Sequence, residues 1–172
     1  MEAFGSPPLA YFLTWATYGT WLPGDDRGWT RRGHGWQAPD LARVRRCRES
    51  MREVPCRLDM RQRLLVEATI TRHCQVRNWS LHAVSCRSNH VHVVVSAPVH
   101  PDEVRNQLKS WCTRRLKEDQ AQRFATGLGQ PTQVRGRWWG EGCSKRYIND
   151  EAGLEAAILY VRDAQDLPHE LR

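Results

Sequence analysis

Between positions 79 and 96 the sequence reads as a β-hairpin and as little else. The stretch 90–96 runs His-Val-His-Val-Val-Val-Ser. Successive side chains of a strand leave opposite faces. Val91, Val93 and Val95 therefore point into a core, and His90 and His92 come out side by side on the other face. Ser88-Asn89 supplies the turn, and residues 79–86 alternate loosely as the partner strand. Pro98 and Pro101 end the second strand. Two adjacent imidazoles on a rigid strand are close enough to hold one metal ion, although an ordinary strand with two exposed histidines has the same spelling.

The remaining elements follow from that hairpin. Residues 11–17 are aromatic and β-rich and read as a first strand, which Pro23-Gly24-Asp25-Asp26 breaks. Residues 24–57 are rich in Gly, Pro and Arg, a basic insertion after the first strand with a short helix around 39–53. Residues 60–74 place Leu64, Leu65, Ala68 and Ile70 for a helix packed on a sheet, with Asp59 as its cap. Pro101 starts the next helix, with Asp102 and Glu103 in its first turn and Val104, Leu108, Trp111 and Leu116 as its apolar stripe. Residues 127–136 form a loop and 138–147 hold a short strand. Asn149 or Asp150 caps a last helix over 151–164 that turns Leu154, Ala157, Ile158 and Val161 inward. Helices mixed with antiparallel strands in this order predict an α+β fold, a ferredoxin-like antiparallel sheet with helices packed on it. The 172 residues suffice for a single domain, 1–172, with a real core.

Charge narrows the partner. Arg and Lys number 26 and Asp and Glu 19, a net 26 − 19 = +7. From Arg27 to Arg77 there are 13 Arg against 5 acids, so the surplus is concentrated in and after the insertion. Of the 26 cations 23 are Arg; a GC-rich coding sequence accounts for part of that bias but not for the clustering. A local basic field suits a polyanion, and Arg forks onto phosphate and stacks on bases. Arg31, Arg32, Arg43, Arg45, Arg46 and Arg48 are the densest candidates for phosphate contact. Lys109, Arg114 and Arg115, on the helix after the histidine strand, serve equally well as a solvated face. Eight Trp either fill a core or offer faces to bases, with Trp21, Trp29, Trp36, Trp138 and Trp139 as candidates for the second role. The run Trp21-Leu22-Pro23-Gly24-Asp25-Asp26-Arg27-Gly28-Trp29 is too specific for a random loop, yet its purpose is not legible. None of the six Cys is spaced C-x-x-C, which argues against a zinc knuckle or a redox motif. No secretory leader or membrane span is visible, and a cytoplasmic setting with free thiols is the expectation.

Tyr160 lies mid-helix between Leu159 and Val161. Its bland role is core; a chemical role requires its helix to cross the sheet face that carries His90 and His92. Four ordered blocks then point one way. Ser88-Asn89-His90-Val91-His92 within 81–96 resembles the histidine–hydrophobe–histidine block of single-strand DNA transposases. Leu108-Lys109-Ser110-Trp111-Cys112-Thr113-Arg114-Arg115-Leu116 is similar to the block that follows it in the REP-associated tyrosine transposases. Arg146-Tyr147-Ile148-Asn149-Asp150-Glu151 and Ile158-Leu159-Tyr160-Val161 resemble the segment that carries the catalytic tyrosine, and Phe12-Leu13-Thr14-Trp15 fits the family's first strand. The resemblance spans roughly residues 11–165 in order and spacing.

This resemblance to an insertion-sequence transposase superfamily implies a chemistry. Two His and a polar side chain on the tyrosine helix hold Mg²⁺ or Mn²⁺. Tyr160 attacks a scissile phosphate of single-stranded, hairpin-containing DNA, leaving a 5′-phosphotyrosine and a free 3′-OH, as an endonuclease and strand transferase working as monomer or homodimer. The chain departs from the pattern at one point. Family members carry Gln or Asn four residues after the tyrosine, where this sequence has Ala164, which cannot bind a metal. Gln165 is the expected third ligand by residue type, with Asp163 its rival because it shares the helical face of Tyr160. The departure also admits a domesticated, catalytically weak DNA-binding protein of the same fold. Two other readings remain: a relaxase-like nuclease using Tyr147, and a zinc hydrolase built from His82, Cys86, His90 and His92.

Overall fold

The computed structural model describes residues 7–31, 33–128 and 135–164. Four strands make the main sheet: β1 (Ala10–Ala16), β4 (Ser80–Cys86), β5 (His90–Ser96) and β6 (Ser144–Ile148). Two short strands, β2 (Trp29–Arg31) and β3 (Gly35–Gln37), pair only with each other. The helices are α1 (Leu41–Glu49), α2 (Met60–Val76), α3 (Pro101–Ala125) and α4 (Glu151–Leu159), and α4 runs on into a π turn over Tyr160–Ala164.

The sheet order is β4-β5-β1-β6, and each neighbouring pair is antiparallel. The succession β1-α2-β4-β5-α3-β6, with β5 between the two strands that α2 connects, is the ferredoxin-like α+β arrangement expected from the sequence. Its registers place Thr14 opposite His92 and Ala16 opposite His90. On its other side β1 sets Thr14 opposite Ser144 and Phe12 opposite Arg146.

Period-2 alternation gives the sheet two apolar faces. Tyr11, Leu13 and Trp15 of β1 join Val91, Val93 and Val95 of β5 beneath α2 and α3 in the larger core. The opposite face carries Ala10, Phe12, Ala83, Val94 and Ile148, covered by Leu154, Ala157 and Val161 of α4 and the π turn. Helix starts follow their caps. Asp59 accepts from the Gln62 amide while Gln62 reaches back to the Asp59 amide, a complete capping box. Asp150, not Asn149, caps α4 through the Gly153 amide at 2.7 Å. α3 has Pro101 in its first turn and extends to Ala125.

Several expectations need correction. The inward face of α2 is Val66, Ile70, His73 and Cys74, while Leu64 and Ala68 face solvent. The stripe of α3 runs Val104, Leu108, Cys112, Leu116, and Trp111 is 43% exposed, lying against the His73 ring. A helix sandwiched between a sheet and a neighbouring helix buries a narrower strip than its apolar residues could cover. The last strand begins only at Ser144; Trp138 and Trp139 precede it, Trp138 buried and Trp139 touching Thr17 through an isolated bridge. The insertion holds the short helix expected within it, as α1, and in addition the β2–β3 hairpin. Among the described residues no helix is long and apolar enough to cross a membrane.

Candidate catalytic site

The face of β5 that α4 covers carries the two histidines. His90 and His92 have ring centroids 4.6 Å apart, as expected for same-face neighbours. His92 is buried and His90 is partly exposed, so the pair forms a ledge open at its outer end.

Each ring is held from behind. The Thr14 hydroxyl lies 2.7 Å from Nδ1 of His92, one strand across. Asn89 Oδ1 lies 2.7 Å from Nδ1 of His90. An amide oxygen only accepts, so a neutral His90 carries its proton on Nδ1 and its lone pair on Nε2. Asn89 is itself fixed: its carbonyl accepts from the Thr17 amide at 2.9 Å and from the hydroxyls of Thr17 and Thr20, both at 3.1 Å. Thr17 is fully buried, and its single hydroxyl proton is shared between the Asn89 carbonyl and the nearer Cys56 carbonyl at 2.6 Å. The start of β5 is thereby clamped to the end of β1 and to the insertion.

Tyr160 comes to the same face from the far end of the chain. Its ring centroid is 5.7 Å from His92 and 5.8 Å from Phe12, edge-on to both. Phe12 in turn touches His92 at 5.5 Å. Leu154, Ala157 and Val161 on the buried side of α4 fix the approach. The geometric requirement stated for a chemical role of Tyr160, that its helix cross the histidine face, is met. Tyr147 sits elsewhere: it packs edge-on against Tyr11, whose side chain belongs to the opposite, α2–α3 face.

The backbone around Tyr160 is itself unusual. The α-helix gives way at Tyr160 to i→i+5 bonding through Ala164, a π turn, a form found mostly as short insertions and frequently at functional sites. Gln165 and Arg32 lie outside the described residues. Asp163 is exposed. Among the described residues no group of three or more His, Cys, Asp or Glu is placed to hold a metal ion, so Asp163 does not complete a set with His90 and His92. The zinc set is not assembled either. Cys86 points into the α2–α3 core, its thiol pushed up to about 12 chiefly by burial. His82, the extra residue where the β4–β5 register shifts, bonds Ser96 at 2.8 Å.

The expected cationic contacts divide by place. Arg45, Arg46 and Arg48 project from α1, and Arg31 from β2, all exposed. Arg43 lies over the Trp29 ring at 4.8 Å and pairs with Asp40 at 3.6 Å. Arg114 and Arg115 share Glu118, at 3.1 and 2.6 Å, on α3, the layer on the other side of the sheet from the histidines. Lys109 is not a surface cation. It donates to the carbonyls of Gly140 at 2.8 Å and Gly142 at 3.2 Å, and burial lowers it to about 8.

Sequence reasoning did not single out Thr14, Asn89 and Arg146 as neighbours of the histidine face. Arg146 shares the histidine face through its register with Phe12, and its guanidinium lies 5.3 Å over the Phe12 ring. It is the described cation that the ring contacts tie to Tyr160. Its period-2 spacing from Ser144 and Ile148 was the available signal.

The arrangement offers a phenol, two imidazoles with their second nitrogens held, and a guanidinium around one ledge. Such a set can hold a divalent ion and a phosphate diester beside a tyrosine hydroxyl. Among solved structures the chain is similar to a REP-associated tyrosine transposase bound to a REP hairpin, with a TM-score of 0.49, 11% identity, and coverage of 94% of this chain and 70% of that one. It is also similar to the crystal structure of a candidate transposase from Deinococcus radiodurans R1, with a TM-score of 0.44, 17% identity, and coverage of 98% of both chains. No protein-family model and no curated protein matches the sequence.

Proposed function

We propose that this protein is a single-stranded DNA endonuclease and strand transferase of the tyrosine transposase type. The observation that carries the reading is the meeting of Tyr160 with the His90–His92 pair on one sheet face, with ring centroids 5.7 Å apart across 68 positions of sequence. A core tyrosine needs no imidazole pair beside it, and an incidental pair of strand histidines needs no tyrosine helix laid across it.

In this reading the Tyr160 hydroxyl attacks the scissile phosphorus. The new O–P bond makes a 5′-phosphotyrosine, and the bond to the 3′ oxygen breaks to leave a 3′-OH. Attack by a 3′-OH on the phosphotyrosine later rejoins strands and frees the phenol, so no nucleotide cofactor is consumed. Nε2 of His90 and of His92 would hold Mg²⁺ or Mn²⁺ with Gln165, and that ion, when bound, polarises the phosphate. Thr14 and Asn89 keep the imidazoles turned toward it. Arg146 meets the charge that builds on the phosphate oxygens. Phe12 and His92 limit the positions that the phenol ring can take.

The test is a denaturing gel of protein mixed with labelled single-stranded hairpins from its own genomic flanks, in Mn²⁺. A band shifted to protein size is expected, lost in Tyr160→Phe and kept in Tyr147→Phe. Loss in Tyr147→Phe alone would overturn the assignment. DNA binding without any adduct would instead indicate the domesticated, catalytically weak DNA-binding protein.

A further inference from the structure

The Trp21–Trp29 motif, unexplained by sequence, is built around Gly28. Arg27 forks onto Asp25, Nε to Oδ1 at 2.6 Å and Nη2 to Oδ2 at 2.8 Å. The same Nη2 donates to the Thr20 carbonyl at 3.0 Å, and the guanidinium lies 4.6 Å over the Trp21 ring. Trp21 Nε1 donates to the Gly28 carbonyl at 3.0 Å. Gly28 has φ +82°, and a Cβ there would run into the indole of Trp36 on β3. Two indoles thus converge on one glycine, and both remain open: Trp36 is 66% exposed and Trp21 49%.

Indoles are large apolar groups that proteins ordinarily cover. Here a hydrogen bond, a cation–π contact and an obligatory glycine fix their orientation while leaving them in water. The neighbourhood is basic. α1, tied to this motif through the Asp40 amide and the Gly24 carbonyl at 2.9 Å, displays Arg45, Arg46 and Arg48 and has no acid in its first turn. The motif is linked to the turn before β5, because Thr20, whose carbonyl holds Arg27, donates its hydroxyl to the Asn89 carbonyl.

We infer that Trp21 and Trp36 form a stacking platform for unpaired bases, with the α1 arginines holding the adjoining backbone. The occupant is single-stranded nucleic acid. Every base has a π face, whereas the bases of a duplex are already stacked, and the surrounding charge is of the complementary sign. This inference rests on the single-strand reading above and adds where the unpaired strand is held.

Fluorescence anisotropy without added metal tests it, since binding then needs no cleavage. Trp36→Ala is expected to weaken a short labelled single strand about tenfold, with the salt slope unchanged and the matching duplex scarcely affected. Trp36→Phe should recover most of the loss, which a merely misfolded variant would not. Replacing the bases opposite the platform by abasic sites should erase the difference between Trp36→Ala and wild type. Arg46→Ala should weaken single strand and duplex alike and lower the salt slope by about one. Unchanged single-strand binding in Trp36→Ala, equal loss on the duplex, or a change in sedimentation marking a protein interface would overturn the platform. An intact platform with no tyrosine adduct would overturn the nuclease reading alone.

Discussion

Thr14→Val isolates what holds His92. Valine keeps the shape and the β-branch that β1 favours and removes only the hydroxyl. In the folded protein that hydroxyl is 2.7 Å from Nδ1 of a histidine that is 6% exposed. Without it a buried ring nitrogen loses its partner, at a cost of about 1–3 kcal/mol. The ring can recover part of that by turning, and turning takes Nε2 away from its ligand direction. Losing such a supporting bond costs about ten- to hundredfold in metal affinity, or roughly 1.4–2.8 kcal/mol at 1.4 kcal/mol per tenfold. The two routes agree on the size of the effect. The assay is single-turnover adduct formation across a Mn²⁺ series. The half-saturating Mn²⁺ should rise ten- to hundredfold, on the order stated, while the rate at saturating metal stays close to wild type. Thr14→Ser should behave as wild type. A collapsed plateau with an unmoved midpoint would refute the argument, because it would place Thr14 in the chemical step and not behind a ligand.

Three further outcomes are expected. Arg146→Ala should slow single-turnover adduct formation about ten- to hundredfold at saturating metal, since a charge-assisted contact is worth about 1.5–3 kcal/mol; an unchanged rate would remove Arg146 from the site. Gln165→Ala should raise the half-saturating Mn²⁺ by about tenfold or more and Asp163→Asn should leave it alone, and the opposite pattern would move the third ligand to Asp163. Lys109, lowered by burial from 10.5 to about 8, should appear as a lysine resonance titrating near pH 8 in the ¹³C spectrum of methylated protein. The unfolded chain protonates this amine first as pH falls from 10.5 to 8, so the lysine destabilises the fold across that window and its penalty is complete below 8. Melts of Lys109→Met, compared with wild type, should show that pH-dependent difference on top of a constant offset from the lost bonds to Gly140 and Gly142.

What the sequence made legible is what repeats or punctuates. β5 could be read because Val91, Val93 and Val95 alternate against His90 and His92, and the observed register preserves that division of faces. Asp59, Pro101 and Asp150 marked helix starts because a cap needs one residue of the right kind at one position. The inward faces of α2 and α3 were read in part: Leu65, Ile70, Val104, Leu108 and Leu116 pack inward, while Leu64, Ala68 and Trp111 ended exposed, and Cys74 and Cys112 took the core. The β2–β3 hairpin has three residues in each strand, too short for alternation to register. Thr14 and Asn89 stood inside legible blocks, but their own parts were not legible, because one hydroxyl or one amide acquires a role only when the sheet brings it behind a ring.

The proposed third ligand shows the same limit more sharply. In a regular α-helix the residue five past Tyr160 stands about 140° around the axis, at about 100° per residue, and the residue four past shares its face. Judged on that geometry Ala164 breaks the site, and Gln165 is misplaced. The described helix does not keep that geometry: from Tyr160 to Ala164 its bonds close i→i+5. A π turn holds about one residue more than an α turn, so a register continued past Ala164 would bring the fifth residue, not the fourth, to the face of Tyr160. Five onward from Tyr160 is Gln165. Gln165 lies outside the described residues; on the proposed reading it supplies the third ligand, and Gln165→Ala tests that assignment directly.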